Sequence, residues 1–315
     1  MSENRQLLTD MAEGLFAELS GVEFATAWPR LAEAGFAGLL VSEDQGGFGG
    51  DWGDLYAVLR LAGQNAVAAP LGETIVAHEL LADAGVTAPE GPIGLLDSER
   101  VAFGRHCAAV IAPNEGGLRL YARDAVSWEE ATSPAGEPRD RPRLSGEPVA
   151  ALASNSDLRA LGAFGVVAQA AGALEAGFAL AIEHVNTRVQ FGKPLAKFQA
   201  VQQALAEASE HIAAVGAAGQ AAAAALDAGD ASFEIAAAKL RTNLAIDAAV
   251  PVLHRAHGAI GFTMEYPLNR YTRRLMGWRS AFGNDAYWAR QLVERVARLG
   301  GPGLWRDMAA RGDRR

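Results

Sequence analysis

Cysteine is nearly absent from this 315-residue chain, which contains Cys107 and no other. A single cysteine excludes an internal disulfide framework and fits a reducing cytoplasm. No His and Asn that could form a catalytic set accompany it. We therefore interpret Cys107 as a small buried apolar residue rather than as a nucleophile.

Positive charge is also scarce, with 28 Lys and Arg against 37 Asp and Glu, a net charge of −9 and a pI near 5.2. This balance argues against a general affinity for nucleic acid or for anionic membranes. Any phosphate group must then be bound by a local basic cluster.

The long apolar run at 158–188 has few polar interruptions, and we interpret it as a central, buried helix. The first residues, MSENRQLLTDM, lack the apolar core of a signal peptide. The longest alanine-rich run, residues 212–226, is too short and too weakly apolar to cross a bilayer. Half of the residues are hydrophobic, which is enough for a large core. We expect a soluble, cytoplasmic protein.

The chain divides by composition into three regions, which we predict as domains at 1–88, 89–153 and 154–315. The first shows helical patterning in four short blocks. Its glycine-rich segment LVSEDQGGFGGDWGD resembles a phosphate loop only superficially, since no Lys-Ser/Thr follows and no strand precedes it. We interpret this segment as a connection between helices.

The middle region is rich in proline, and short alternating runs at 108–113 and 117–123 predict strands. Residues 133–148 have the composition of a loop. The region is predicted to be a small, reduced β-rich domain.

The last region predicts long helices at 158–188, 198–226, 232–257 and about 282–299, the last ended by Gly-Gly-Pro-Gly. Short connections between long helices indicate an antiparallel four-helix bundle. The fold class is therefore mainly α, with a small β portion.

Two motifs interrupt this bundle. The first is RVQFGKPLAKFQAVQ at 188–202, where Arg, Gln and Phe occupy a corner between two helices. The second is HGAIGFTMEYP at 257–267, followed by LNRYTRRL. Together with LAEAGFAGLLVSEDQGGFGG at 31–50, they resemble the acyl-CoA dehydrogenase family, and the resemblance extends over most of the chain.

The resemblance implies a flavoprotein that oxidises an acyl-CoA thioester across Cα–Cβ with FAD, passing electrons to an acceptor such as an electron-transfer flavoprotein. In the family, the corner reaches across a dimer to the ADP half of the neighbouring subunit's FAD. A guanidinium suits pyrophosphate because it offers paired donors. The implied cofactor-binding residues are Arg188, Gln190, Phe191, Phe198, Arg255, Gly258, Ala259, Gly261 and Asn284.

The same resemblance points to a missing catalytic base. The two positions at which family members carry the catalytic carboxylate fall on Phe282 and on Gly162, and neither residue can remove a proton. Asp285 is a weak candidate, three residues further along the last helix. The Thr-Glu-Pro-like segment that lines the flavin ring in the family is not found between 89 and 150.

This pattern resembles the shortened subunits of heteromeric acyl-CoA dehydrogenases that act on steroid side-chain CoA esters, in which a related partner supplies the Glu base. Two alternatives stay open: a flavin-free homodimeric scaffold or binding module, and a homodimeric enzyme that uses Asp285. Arg270, Arg273 and Arg274 are interpreted as a solvated or interface face, one of which could meet a CoA phosphate. His254 and His257 have helical spacing but no third ligand, so no metal site is predicted.

Overall fold

The computed structural model describes residues 3–97 and 99–312. Its N-terminal part consists of four helices, and ion pairs join the first turn of the first helix to the first turn of the third. Asp51 caps the third helix by accepting the Asp54 N–H, and the Asp54 carboxylate accepts the Asp51 N–H in return. Arg5 binds both carboxylates. The four helices are α1 (Glu3–Glu18), α2 (Phe24–Glu33), α3 (Trp52–Gln64) and α4 (Leu71–Asp83).

The glycine-rich segment between α2 and α3 is a compact turn, as predicted. Gly47 lies so close to the Val41 carbonyl that an added Cβ would be 2.1 Å from that oxygen. The chain can fold back here only because no side chain is present.

Two small sheets follow. One has the order β1-β3-β4-β7, with β1 and β3 parallel and the other pairs antiparallel, and the other has the order β2-β6-β5. The strands predicted at 108–113 and 117–123 are confirmed. The strands are β1 (Ile93–Leu95), β2 (Val101–Ala102), β3 (Ala109–Asn114), β4 (Gly117–Ala122), β5 (Val126–Glu129), β6 (Arg139–Leu144) and β7 (Ala150–Leu152).

The prediction of a loop over 133–148 was wrong for its middle part, because β6 occupies residues 139–144; residues 133–137 and 145–148 on either side form no helix or strand. Pro142 argues against a strand at this position, since proline has no N–H group to donate a hydrogen bond to a neighbouring strand. In the structure, Pro142 pairs with Trp128 of β5 on one side. The β2 pairing on the other side reaches only from Arg139 to Asp140, so that side of β6 is open at Pro142.

The C-terminal region is built around one central helix. Asp157 caps it by accepting the N–H groups of Arg159 and Ala160. This helix is long and apolar enough to cross a membrane, yet 67% of its most apolar window is buried inside the protein. The elements are α5 (Leu158–Thr187), β8 (Val189–Gln190), β9 (Lys193–Pro194), α6 (Gln199–Asp227), α7 (Ser232–His257), α8 (Leu268–Trp278) and α9 (Asp285–Gly312).

Two helical details differ from the sequence prediction. The arginine-rich segment that follows Pro267 is the short helix α8, which was not predicted. The last helix begins at Asp285 rather than near Phe282. Gly300 breaks it with a φ of 65°, but helical conformation resumes and continues to Gly312. The non-helical backbone at Gly300 therefore separates two helices, and the predicted helix end at Gly-Gly-Pro-Gly is confirmed.

Helices α3 and α5 cross at very short range. An ideal Cβ on Gly63 would be 1.9 Å from the carbonyl oxygen of Gln169, and one on Gly172 would be 1.9 Å from that of Arg60. Each glycine therefore receives a backbone carbonyl of the opposite helix. This reciprocal contact fixes the N-terminal helices against the central helix.

We expect Gly172→Ala to lower the free energy of unfolding by about 1–3 kcal/mol, because the added methyl group overpacks this crossing. Gly216→Ala is the matched control: it also lies inside a helix, α6, but its Cβ would meet no atom within 4 Å. That change should be neutral or stabilise by up to about 1 kcal/mol, since alanine favours helix. Urea unfolding of both variants measures the difference, and equal effects would contradict the close crossing.

Candidate functional site

The corner after α5 is a two-residue hairpin. Val189 pairs with Pro194 and Gln190 with Lys193, leaving Phe191 and Gly192 as the turn. Both turn residues have positive φ, 52° and 79°, as in the tight hairpin turns that match strand twist. Glycine adopts this conformation freely, whereas phenylalanine adopts it rarely. Strained residues of this kind are concentrated at binding sites.

The side chains of this corner point into solvent. Phe191 is 88% exposed and contacts Phe198 edge to face, with ring centroids 6.1 Å apart. The Lys193 ammonium lies 4.4 Å above the Phe198 ring. Arg188 is exposed, and its guanidinium has no partner among the residues that the structure describes. The corner thus presents the hydrogen-bond donors of the Arg188 guanidinium together with the exposed apolar ring of Phe191.

The second motif begins where α7 ends. Gly258 has φ 66° and ψ −143°, a conformation available essentially only to glycine. No neighbouring atom lies within 4 Å of the place where its Cβ would be, so a ligand can approach the backbone there. Ala259 and Arg255 are exposed, while Gly261 is buried against the end of α7.

Stacked imidazole rings bring the two motifs together. His184, one turn before Arg188, stacks on His257 with ring centroids 4.9 Å apart. Tyr266 packs edge-on against the His257 ring at 4.9 Å. Burial, and next the proximity of His257 and Arg188, lower the pKa of His184. His184 is therefore neutral at neutral pH and does not act as a second cation beside Arg188.

The two expected base positions contact each other near the other end of α5. Gly162 lies on α5 itself, and Phe282 lies on the loop before α9. The Phe282 side chain is buried and lies directly over Gly162. A Cβ added to Gly162 would be 2.3 Å from Cε1 of Phe282. An aromatic ring thus fills the space between the two positions, and neither offers a carboxylate.

The loop that carries Phe282 is held in a strained conformation. Phe282 has a φ of 53°, and its carbonyl accepts a hydrogen bond of 3.0 Å from the Trp288 indole. Gly283 has a φ of 106°, and a Cβ there would be 2.6 Å from Nε1 of Trp288. Lys239, fully buried, donates to the carbonyls of Trp278, Arg279 and Gly283 and to Asn243. Together these contacts stabilise the ring in its position.

Asp285 is engaged elsewhere. Its carboxylate accepts a hydrogen bond of 2.7 Å from Arg279, which also binds Asp247 at 2.6 Å. Asn284 caps α9 by accepting the Tyr287 N–H at 3.0 Å. About 26 residues of α5 separate Gly162 from Arg188, or roughly 40 Å at 1.5 Å per residue. Asn284 therefore lies too far from the corner to contact the same part of a ligand.

A polar cleft of about 400 Å³ opens beside Phe282. Arg159 forms an ion pair of 3.1 Å with Asp97, and its guanidinium lies 4.5 Å above the Tyr287 ring. Arg100 and Arg139 also line the cleft. Two carboxylates line the cleft, and each is bound by an arginine: Asp97 by Arg159, and the exposed Glu99 by Arg141 at 3.2 Å.

Other predicted features take structural roles. Cys107 is buried, and burial raises the pKa of its thiol, in agreement with the structural interpretation. His254 contacts the Thr272 hydroxyl and His257 the Leu253 carbonyl. Within residues 3–97 and 99–312, no cluster of three or more His, Cys, Asp or Glu is arranged to hold a metal.

Phe282→Ala should lower the free energy of unfolding by about 3–5 kcal/mol, because it empties a buried space beside Gly162. Phe191→Ala is the matched control, since the same truncation at an exposed ring leaves no cavity and should cost under about 0.5 kcal/mol. Denaturant unfolding gives both values. A Phe282 effect as small as the control's would mean that the ring does not fill the site.

Lys239 predicts a pH dependence. Burial lowers its pKa from an ordinary 10.5 to about 7, with Asp285 opposing part of the shift. Between these values the unfolded chain binds a proton that the folded chain does not, so Lys239 makes stability rise with pH. Wild type should gain up to about 1.4 kcal/mol per pH unit over Lys239→Met between pH 7 and pH 9.5. Below pH 7, the difference in free energy of unfolding between wild type and Lys239→Met should be constant. Urea unfolding from pH 6 to pH 9.5 measures this difference. A difference that stays constant over the whole range would contradict the lowered pKa of Lys239.

Comparison with known proteins decides the family. Residues 160–297 match the family model for the acyl-CoA dehydrogenase C-terminal domain. The chain is 30% identical over 300 residues to acyl-CoA dehydrogenase IpdE2 of Mycobacterium tuberculosis. The aligned region covers 87% of this chain and 92% of that relative. The chain belongs to the acyl-CoA dehydrogenase family.

Solved structures confirm the predicted fold. The Tcur3481-Tcur3483 steroid ACAD (acyl-CoA dehydrogenase), in its G363A variant, has a TM-score of 0.83 at 22% identity and covers 94% of this chain and 98% of that one. The ChsE4-ChsE5 complex of Mycobacterium tuberculosis has a TM-score of 0.81 at 20% identity, with the same coverage. Both neighbours are complexes named by two components.

Sequence reasoning did not identify several residues of the site. Lys239 could have been noticed as a lysine that directly follows three alanines in α7, four residues before Asn243. His184 and the Asp97–Arg159 pair gave no comparable signal, because their partners are distant in sequence.

Proposed function

We propose that this chain is a subunit of a heteromeric, FAD-dependent acyl-CoA dehydrogenase. In this proposal, the chain binds the ADP half of an FAD whose ring is held by a related partner, and the partner supplies the Glu base. We assign residues 1–88 to a helical domain, 89–153 to a β-rich domain and 154–315 to FAD binding and oligomerisation. The reaction is α,β-dehydrogenation of an acyl-CoA thioester.

The observation that carries the proposal is the contrast between the two ends of α5. At one end, Arg188 and Phe191 are exposed, and the Arg188 guanidinium has no hydrogen-bond or ion-pair partner among the described residues. At the other end, Phe282 fills the base position against Gly162. A chain that binds another subunit's cofactor needs an exposed corner such as the one at Arg188. It does not need a catalytic carboxylate at position 162 or 282.

The corner fits the ADP half of FAD. Arg188 offers charge-assisted hydrogen bonds to pyrophosphate, and the backbone at Gly258 is open to close approach. Phe191 gives an apolar face, and Gln190, Phe198, Arg255, Ala259 and Gly261 surround these groups. A bound FAD would supply the two-electron acceptor that protein side chains lack. Asn284, at the other end of α5, would contact a different cofactor from the one at the corner.

The end near Phe282 does not support proton abstraction by this chain. General-base catalysis needs a carboxylate within hydrogen-bond reach of the substrate proton. Phe282 excludes substrate from the space next to Gly162, Asp285 is bound by Arg279, and Asp97 is bound by Arg159. The chain alone should therefore have near-background dehydrogenase activity.

The relatives support a steroid or lipid-derived acyl group, since one solved neighbour is described as a steroid ACAD; the other is described as a complex of ChsE4 and ChsE5. The single cysteine, Cys107, supports a reducing, cytoplasmic setting. We propose an acyl-CoA ester of this class as substrate and an electron-transfer flavoprotein as the acceptor.

The test uses the chain co-purified with the acyl-CoA dehydrogenase-like product of a neighbouring gene. Arg188→Ala should weaken FAD retention about 10- to 100-fold, the loss of one charge-assisted phosphate contact. Arg143→Ala is the control, because this arginine is exposed in the β-rich region and remote from the corner. FAD retained after dialysis is measured from its visible absorption.

The expected stoichiometry is about one flavin per heterodimer, with flavin bleaching by acyl-CoA only when the partner is present. A complex without flavin would favour the scaffold alternative. Bleaching by the lone chain that Asp285→Asn abolishes would show a homomeric enzyme with its own base.

A further inference from the structure

A second cleft lies away from both ends of α5. It has a volume of about 550 Å³ and is bounded by the turn between α1 and α2, by residues 135–138 of the β-rich region and by the first half of α8. Neither the corner residues nor Phe282 line it. Its size is that of a pocket for a small organic molecule, and its role does not depend on the function proposed above.

One wall of the cleft is aromatic. The Phe24 ring stacks on Phe103 at 5.1 Å and on His106 at 4.7 Å between centroids. Burial, and next the charge of Arg105, lower the pKa of His106. His106 is therefore neutral at neutral pH and contributes a flat ring rather than a positive charge. Such a wall favours a planar apolar body.

The opposite wall is formed by the three arginines of α8. Two of them have partners in the β-rich region: Arg273 donates to the Pro134 carbonyl at 2.6 Å, and Arg274 forms an ion pair of 2.6 Å with Glu137. The arginine face expected from the sequence is thus partly an internal contact. These bonds fix α8 and hold the wall in place.

Arg270 differs from its neighbours. Among the described residues its guanidinium has no hydrogen-bond or ion-pair partner, although it lines the cleft. It lies over Gly21, where an added Cβ would be 2.9 Å from Nη1. The absence of a side chain at Gly21 leaves this cation accessible at the mouth of the cleft.

Charge indicates the class of ligand. Three arginines and two glutamates, Glu23 and Glu137, line the cleft, which leaves an excess of one positive charge. A single carboxylate matches this excess, whereas the two negative charges of a phosphate dianion would exceed it and leave a net repulsion from the two glutamates. We propose that the cleft binds a planar, apolar monocarboxylate, with its carboxylate on Arg270 and its body against Phe24.

The test titrates 2-naphthoate into the full-length chain, with its partner subunit if one co-purifies, and follows the heat of binding. Wild type should show saturable binding with one site per chain. Arg270→Gln should weaken binding at least about tenfold, because it removes a charge-assisted contact. Arg290→Gln is the control, since it removes an exposed arginine of α9 outside the cleft.

A second variant tests the aromatic wall. Phe24→Leu keeps the charge and should also weaken binding, while melting curves confirm that each variant is folded. Unchanged affinity in Arg270→Gln, or no saturable binding of 2-naphthoate by wild type, overturns the proposal. Competition by inorganic phosphate at the affinity of 2-naphthoate overturns the assignment to a monocarboxylate.

Discussion

The burial of helix α5 by small residues is the constraint on which the other features depend. Gly63 and Gly172 let α3 and α5 approach until backbone carbonyls occupy the places of side chains. The helix is thereby held rigid between the N-terminal helices and the bundle. Because Gly162 lies near the start of α5 and the hairpin corner directly follows its last residue, the two positions keep a fixed separation of roughly 40 Å.

The two ends of α5 differ in what they leave exposed. At the corner, a strained phenylalanine, a glycine with an open backbone and an arginine without a partner among the described residues face solvent. At the other end, Lys239 and Trp288 both donate hydrogen bonds to the loop of Phe282, whose ring fills the space beside Gly162. In the function we propose, one helix therefore connects a surface that binds a cofactor with a site that excludes substrate.

Sequence patterns predicted the long helices because apolar and alanine-rich periodicity is a local property. The family resemblance, and not periodicity, pointed to Phe282 and Gly162 as positions of interest. Neither predicted that Phe282 packs on Gly162, since that contact joins residues 120 positions apart. Helix α8 was missed because its arginines look like a solvated segment until Pro134 and Glu137 are seen as their partners. Strand β6 was missed because one proline outweighed its pairing with β5.

The contact between Phe282 and Gly162 also bears on how such a chain can change over generations. A carboxylate placed at 162 would collide with the ring at 282, and a carboxylate placed at 282 would replace a buried ring in a loop that holds it under strain. Either single step produces a less stable protein before it produces a base. Introducing a carboxylate at either position thus requires coordinated changes, so a subunit that takes its base from a partner, as we propose for this chain, would stay dependent on that partner.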